Sequence, residues 1–152
     1  MSTLYALFRA CAGVSTDTRR IVPGSIFFAL HGATFDGNRF AAEALDKGAA
    51  YAVVDDPAAA TDPRMHLVPD TLRALQQLAR EHRRALGIPI LAIPGSNGKT
   101  TTKELLSRAL AQRLTVHAPQ AHLNNHIDVP PTLLAPDAPP QSRVAQMASR
   151  GS

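Results

Sequence analysis

Residues 95–102 read Gly95-Ser96-Asn97-Gly98-Lys99-Thr100-Thr101-Thr102. They follow an apolar run at residues 88–93, which predicts a buried strand, and they precede a helical pattern at residues 103–114. A strand, a glycine turn and a helix start form a cradle for a phosphate chain, because glycines let backbone N–H groups approach phosphate oxygens and the helix N-terminus adds partial positive charge. In such a cradle Lys99 can reach the β- and γ-phosphates, and Thr100 can ligate Mg²⁺.

The phosphate-binding motif is present in its shorter form, G-x-x-G-K-T. The long form would need a glycine where Ile93 stands. A simple glycine turn capped by Ser96 or Asn97 is the structural alternative. The strand before the turn and the helix after it favour nucleotide binding over that alternative.

Length and composition suit one ordinary domain or two small ones, with 152 residues of which 45% are hydrophobic. The net charge of +4 is a mild basic excess that suits a phosphate-bearing small molecule as well as nucleic acid. The densest basic run lies on the polar side of a predicted helix and comprises Arg80, His82, Arg83 and Arg84. No aromatic residues are interleaved with it, so we expect a solvated helix face and no nucleic-acid partner.

The expected location is the cytoplasm. Cys11 is the only cysteine, so no intramolecular disulfide can form, which fits a reducing compartment. The N-terminus lacks a basic region followed by a long apolar core, and no apolar run reaches transmembrane length. We therefore expect no signal peptide and no membrane partner.

Strand and helix patterns alternate along the chain. Strands are predicted at residues 25–30, 51–54 and 65–68, and helices at residues 40–47 and 71–86, the second with Asp70 as its N-cap. This alternation predicts an α/β fold with a largely parallel sheet.

The same patterns predict three regions. Residues 1–86 form a small N-terminal α/β domain, and residues 87–135 form the truncated start of a P-loop parallel-sheet ATPase domain. Residues 136–152 form an irregular tail, because prolines crowd together before them and within them. The prolines in question are Pro130, Pro131, Pro136, Pro139 and Pro140.

A second polar segment reads Ser15-Thr16-Asp17-Thr18-Arg19. Its hydroxyls, carboxylate and guanidinium lie on a loop at a predicted strand end, and they suit a uridine and its pyrophosphate. Turn chemistry is the alternative, with Asp17 and Thr18 capping nearby backbone N–H groups.

A third segment contains the adjacent amides of Asn124 and Asn125, which can donate to an anionic ligand. The alternative is an asparagine-rich turn before a short helix starting at Pro131. A metal site is a further alternative, from His117, His122 and His126, but no cysteine or acidic residue with ligand spacing accompanies them.

These segments together resemble the Mur ligases. The resemblance rests on residues 95–104, on Leu123-Asn124-Asn125-His126-Ile127, and on the front-half segments at residues 15–19, 23–27, 35–37 and 48–50. It covers residues 15–135 and is strongest for the members that add D-alanyl-D-alanine, since Lys103-Glu104 and the paired asparagines are typical of them. It implies a UDP-binding first domain followed by an ATP-binding domain.

The resemblance implies an ATP-dependent ligase of peptidoglycan precursor synthesis. Its small-molecule partners would be UDP-N-acetylmuramoyl-tripeptide and D-alanyl-D-alanine, joined through an acyl phosphate, and its cofactors would be ATP and Mg²⁺. Lys99 and Thr100 would act in catalysis, with Thr100 on the metal. The remaining implied contacts are Gly95, Ser96, Asn97, Gly98 and Thr101 for ATP, and Ser15, Thr16, Asp17, Thr18, Arg19, Asn124 and Asn125 for the substrate.

Several departures from the family pattern lead us to expect an incomplete and inactive N-terminal fragment. We also expect a monomer. Pro94, Asp128 and Pro131 replace the usual threonine, glycine and leucine. The family's metal-binding glutamate and histidine, its carbamylated lysine and its third domain would lie beyond residue 152, and Gln146 stands near the expected carboxylate. The rival hypotheses are a UDP-sugar-peptide binding module without turnover, another Mur ligase, and a compact P-loop NTPase of a different family.

Overall fold

The computed structural model describes residues 2–32, 34–87, 90–93, 98–113, 116–117, 134 and 142–146. The chain divides into two compact units, residues 1–81 and residues 82–152. The division lies within a helix that ends at residue 86. The sequence predicts the domain boundary at the end of that helix. The predicted α/β class is confirmed.

The first unit is built on a four-stranded parallel sheet. Its elements are α1 (Thr3–Arg9), β1 (Val14–Ser15), β2 (Ile26–Phe28), α2 (Ala41–Asp46), β3 (Tyr51–Val54), β4 (Met65–Leu67) and α3 (Thr71–Leu86), with 3₁₀ helices at Thr18–Arg20 and Gly37–Phe40. The strands lie in their sequence order, and every neighbouring pair is parallel. All four carboxyl ends therefore lie at one edge of the sheet.

Both faces of this sheet are buried, which explains why its central strands are continuously apolar. On one face Phe27, Ala52 and Val54 pack against α2 residues, including Leu45. Side chains alternate along a strand, so Ile26, Phe28 and Val53 point to the opposite face, and each is 0% exposed. This double burial holds the sheet rigidly beneath the loops at its carboxyl edge.

Helix α3 has the bounds that the sequence predicts. Asp70 Oδ1 accepts a hydrogen bond from the Arg73 backbone N–H at 2.8 Å, which confirms the predicted N-cap. The buried residues Thr71, Leu75, Leu78 and Ala79 share one face of the helix. None of the helices in the described part of the chain combines the length and the apolarity that a membrane crossing requires.

The second unit contains a parallel sheet of three strands. Its elements are β5 (Ile90–Ile93), α4 (Lys99–Ala111), β6 (Val116–His117) and β7 (Ser142–Gln146), and the spatial order of the strands is β5-β7-β6. Helix α4 begins at Lys99, earlier than the predicted start at residue 103. Lys99, Thr100 and Thr101 therefore belong to the helix and not to a loop before it.

Strand β7 corrects the prediction that residues 136–152 are irregular throughout. The crowded prolines behind that prediction end at Pro140, and no proline lies within β7. β7 pairs in parallel with β5 and β6, with Gln146 opposite Ile93 and Arg143 opposite His117. Hydrogen bonds from two strands that are distant in sequence stabilise residues 142–146, whose own sequence is only a weak strand pattern.

Candidate functional site

The carboxyl edge of the first sheet collects polar residues from the segments that follow all four strands. These are residues 15–19 at the end of β1, His31 and Asn38 after β2, Asp55 after β3, and Thr71 after β4. Parallel α/β sheets bind ligands at this edge. Of these residues, the sequence pointed to 15–19 alone.

The predicted segment at residues 15–19 forms a turn closed by its own hydrogen bonds. The Ser15 hydroxyl is buried and donates to the carbonyl of Asp17 at 3.1 Å. The Asp17 carboxylate accepts the Arg19 backbone N–H at 2.9 Å and the Arg19 guanidinium at 2.7 Å. The bonds from Arg19 lower the pKa of Asp17 to about 2. Ser15 and Asp17 thus do what the turn alternative describes, while Thr16 and Thr18 lie half-buried between them.

Two cations lie beside this turn. The side chain of Arg19 is 85% exposed, so its guanidinium also faces solvent. Lys47 Nζ donates to the carbonyl of Thr18 at 3.1 Å and lies 2.6 Å from Glu43 Oε1. Sequence analysis missed Lys47 because no local pattern links it to a turn that lies 29 residues earlier. Each cation is paired with a carboxylate, Arg19 with Asp17 and Lys47 with Glu43, so an anion at this turn would share them with these partners.

A cluster that sequence analysis did not find is centred on the Asp55 carboxylate. Asp55 Oδ1 accepts from Asn38 Nδ2 at 2.9 Å and lies 2.5 Å from His31 Nε2. Asp55 Oδ2 accepts from the backbone N–H and from the hydroxyl of Thr71, both at 3.0 Å. One carboxylate thus joins the loops after β2 and β3 to the first residue of α3.

The proton positions in this cluster follow from the acceptors, the Asn38 amide oxygen and the Asp55 carboxylate. Asn38 Oδ1 accepts the backbone N–H of Asp55 at 3.2 Å, so its Nδ2 is a donor. The ionised Asp55 carboxylate can only accept, so His31 Nε2, 2.5 Å from Asp55 Oδ1, is the donor in that bond. His31 Nδ1 lies 3.4 Å from Asp36 Oδ1, so the protonated ring faces a carboxylate on each side.

These contacts shift both pKa values. The hydrogen bond to Asp55 raises the pKa of His31, and the charges of Asp36 and Asp70 add to the shift. Burial alone would raise the pKa of Asp55, but hydrogen bonds from Asn38, His31 and Thr71 outweigh it and hold that pKa at about 2. The pair is therefore ionic in mild acid, below the ordinary histidine pKa of 6.5 and above the pKa of Asp55 at about 2.

We expect the first unit to be most stable in mild acid. The folded pKa of His31 lies above its ordinary 6.5, so its contribution is complete below 6.5 and is lost as pH rises through the folded pKa. The folded pKa of Asp55 is about 2 against an ordinary 3.8, so its contribution is complete above 3.8 and is lost as pH falls towards 2. The free energy of unfolding should peak between roughly pH 4 and pH 6.5.

Urea titrations at a series of pH values would measure this profile. Tyr5 and Tyr51 are the two tyrosines of the chain and both lie in the first unit, so tyrosine fluorescence follows its unfolding. The variant His31→Gln should lose the fall that begins near pH 6.5 and keep an acid limb, because Asn38 and Thr71 still lower the pKa of Asp55. A wild-type fall that the variant reproduces in full would show that His31 is not its source.

The second candidate region is the first turn of α4. Gly98 precedes it with φ +74°, a left-handed conformation that favours glycine. Its carbonyl accepts the backbone N–H of Thr102 at 3.0 Å and the hydroxyl of Thr102 at 2.9 Å. Lys99 is half-buried, and Thr100 and Thr101 are exposed. The turn thus presents a lysine, two hydroxyls and the positive end of a helix dipole.

The other predicted residues lie outside the described part of the chain. They are Gly95, Ser96 and Asn97 of the glycine turn, the substrate residues Asn124 and Asn125, and the histidines His122 and His126. Within the described residues, no group of three or more histidine, cysteine or acidic side chains could hold a metal ion. The roles assigned to these residues stay predictions.

Known proteins are similar to this chain over most of its length. Residues 11–83 match the family described as "Mur ligase family, catalytic domain". The UDP-N-acetylmuramoyl-tripeptide–D-alanyl-D-alanine ligase of Synechocystis sp. is 43% identical to this chain over 140 residues, or 91% of it. The chain belongs to the Mur ligase family. The rival hypothesis of a compact P-loop NTPase from another family is therefore wrong.

Other Mur ligases match over similar spans. The ligase of the same name from Bacillus subtilis is 43% identical over 126 residues, which are 81% of this chain. The crystal structure of the MurF ligase from Thermotoga maritima in complex with ADP has a TM-score of 0.82 at 27% identity and covers 99% of this chain. MurF from Acinetobacter baumannii has a TM-score of 0.79 at 33% identity and covers 90%.

The chain spans about a third of the length of these Mur ligases. It covers 31% of the Synechocystis ligase and 27% of the Bacillus ligase. It covers 34% of the Thermotoga chain and 30% of the Acinetobacter chain.

Proposed function

We propose that this chain supplies the substrate-binding part and the first nucleotide-binding part of a ligase that adds D-alanyl-D-alanine to UDP-N-acetylmuramoyl-tripeptide. In the reaction, the terminal carboxylate of the tripeptide takes the γ-phosphoryl group of ATP. The amine of D-alanyl-D-alanine then attacks the acyl phosphate, and phosphate leaves as the amide forms. The 43% identity to two ligases named for this reaction carries the proposal.

The carboxyl edge of the first sheet is the proposed site for the UDP moiety. Arg19 and Lys47 would bind the diphosphate, because both cations lie at the turn after β1. Ser15 and Asp17 would act by holding that turn, through the hydrogen bonds they already make within it. We further propose that the protein is cytoplasmic and monomeric and that its partners are small molecules.

The first turn of α4 is the proposed site for the ATP phosphates. Lys99 would hold the β- and γ-phosphates and stabilise the charge that develops on them. The exposed hydroxyl of Thr100 suits Mg²⁺, a cation that prefers oxygen ligands and that, when bound, would neutralise phosphate charge. Gly98 and Thr101 would complete the cradle together with Gly95, Ser96 and Asn97, and Asn124 and Asn125 would contact the substrate.

A second candidate function is binding of the UDP-sugar-peptide without turnover. The first unit favours this binding-only candidate, because its sheet is buried on both faces and has its own core. The chain also spans only 31% of the Synechocystis ligase. Calorimetric titration with UDP-N-acetylmuramoyl-tripeptide should give saturable binding under either candidate. Phosphate release with ATP and both substrates separates them, since turnover by this chain would exclude the binding-only candidate.

We expect the variant Lys99→Met to bind ADP at least tenfold more weakly, since a charge-assisted bond to phosphate contributes about 1.5–3 kcal/mol. Fluorescence titration with a labelled ADP would measure the change. Arg108→Met removes a cation from the other end of α4 and should leave the affinity within about twofold, since a distant exposed charge is screened. Equal affinities for Lys99→Met and wild type would remove Lys99 from the nucleotide site.

A further inference from the structure

The last residue of β7 lies beside the strand that leads into the glycine turn. β7 pairs in parallel with β5, and Gln146 is in register with Ile93, the last residue of β5. Neighbouring strands are about 4.8 Å apart, and parallel strands end at the same edge of their sheet. The chain leaves β5 at that edge and enters α4 at Lys99. Gln146 therefore lies at the edge of the sheet from which the chain passes to the proposed phosphate site.

A magnesium site at a P-loop needs more than one protein group. P-loop ATPases hold Mg²⁺ with the hydroxyl that follows the P-loop lysine and with a carboxylate. Thr100 follows Lys99 and its side chain is exposed, so the hydroxyl is available. The strand beside β5 ends in Gln146, whose amide carries no charge. Mg²⁺ gives up bound water reluctantly and takes carboxylates together with phosphates, so an amide is a poor substitute.

No other described carboxylate of the second unit takes this place. In the part of residues 82–152 that the structure describes, Glu104 is the only acidic residue. It lies more than one helical turn after Lys99, further from the N-terminus of α4. Its Oε1 is 3.0 Å from Nζ of the buried Lys103, so this carboxylate is paired with a cation already. The described groups at the first turn of α4 are thus cationic or neutral, which suits phosphate and not Mg²⁺.

We propose that the nucleotide site of this chain binds phosphates without requiring Mg²⁺, because Gln146 stands where a metal-binding carboxylate is needed. The proposal rests on the proposed function of the first turn of α4, and it adds that the Thr100 hydroxyl alone does not make a magnesium site. Lys99 and the helix N-terminus would compensate the phosphate charge. Mg²⁺ bound to the nucleotide reduces the negative charge that these groups attract, so it should not strengthen binding.

The wild-type chain tests this proposal without any variant. Fluorescence titration with a labelled ADP would be run once in EDTA and once in MgCl₂. We expect affinity in MgCl₂ to lie within about twofold of the affinity in EDTA, or below it, since no protein carboxylate holds the metal. If Mg²⁺ tightens wild-type binding roughly tenfold or more, the proposal is wrong.

The variant Gln146→Glu should create the magnesium site. Mg²⁺ should then tighten ADP binding roughly tenfold or more, because contacts to an ionised carboxylate are much stronger than contacts to an amide. In EDTA the same variant should bind ADP more weakly than wild type, because it adds a negative charge near the phosphates. Ser142→Glu is the matched control, since it adds the same charge at the amino end of β7, about 13 Å away. It should respond to Mg²⁺ like wild type.

The outcomes separate this proposal from the proposed function. A folded Gln146→Glu variant that binds ADP equally well in EDTA and in MgCl₂ would overturn the role of Gln146 and leave the nucleotide site standing. If circular dichroism shows that this variant does not fold, the wild-type comparison still decides between the two results given above. A wild-type chain that binds labelled ADP in neither solution would overturn both the nucleotide site and this proposal.

Discussion

Replacing Gly37 with alanine is expected to lower the free energy of unfolding of the first unit by about 3 kcal/mol. A Cβ at residue 37 would lie 2.5 Å from the carbonyl oxygen of Leu30 and 2.6 Å from the carbonyl carbon of Ala29. Both contacts are backbone atoms at the exit of β2, so no side-chain rotation can relieve them. Moving the two backbone segments apart would break the hydrogen bond from Gly37 N–H to the Leu30 carbonyl.

Gly32 supplies the control in the same loop. A Cβ there would lie 3.8 Å from that of Phe35, an ordinary contact, so Gly32→Ala should change the free energy of unfolding by less than about 0.5 kcal/mol. Urea unfolding followed by tyrosine fluorescence compares both variants with wild type. If Gly37→Ala unfolds at the wild-type midpoint, the close approach between residue 37 and the end of β2 does not exist.

Removing the Asp55 carboxylate is the second change with a large expected effect. Asp55→Ala should lower the free energy of unfolding by about 3 kcal/mol, because it leaves a histidine charge, an asparagine amide and a helix N–H without the acceptor they share. The acceptor is well shielded, since the Asp55 side chain is 13% exposed. The loss should appear as a lower urea midpoint at pH 5, where the His31–Asp55 ion pair is fully formed.

Two further variants separate charge from shape. Asp55→Asn keeps the size and removes the charge, so the pKa of His31, followed by NMR, should fall from its raised value. Asp56→Ala removes the neighbouring exposed carboxylate, which accepts from Ala58 N–H at 2.9 Å, and should cost less than about 1 kcal/mol. An unchanged pKa of His31 in Asp55→Asn would show that Asp55 does not raise it.

Sequence patterns located most elements of the first unit. β3 and α3 have the predicted bounds, because each is a continuous local signal: four buried apolar residues in one case, and a capped amphipathic repeat in the other. Elements that depend on distant partners were predicted less well. β7 was not predicted, because pairing with β5 and β6 stabilises it, and no pattern within residues 142–146 shows that pairing.

The residues of the candidate site also fall into two groups, those that a local sequence pattern predicts and those that only the structure brings together. Lys99 and Thr100 were predicted because a glycine turn between a strand and a helix is a local pattern with a chemical meaning, and their roles stay predictions. Lys47, His31 and Asp55 were not found, because each is unremarkable among its neighbours in the chain. The structure also changes how Ser15 and Asp17 are understood, since their hydrogen bonds hold a turn, and Arg19 and Lys47 beside it are the groups proposed to bind an anion.

The sequence by itself determined the α/β class, the place of the helix proposed to bind phosphate and the resemblance to the Mur ligases, because hydrophobic periodicity and glycine spacing act over a few residues. The tertiary structure alone decided which side chains meet. Parallel pairing brings four loops to one edge, where Asp55 binds His31 and Asn38, 24 and 17 residues away, and Phe35 rests on Phe40. The physical reason is that such contacts depend on strand order and register, which backbone hydrogen bonds between distant segments set.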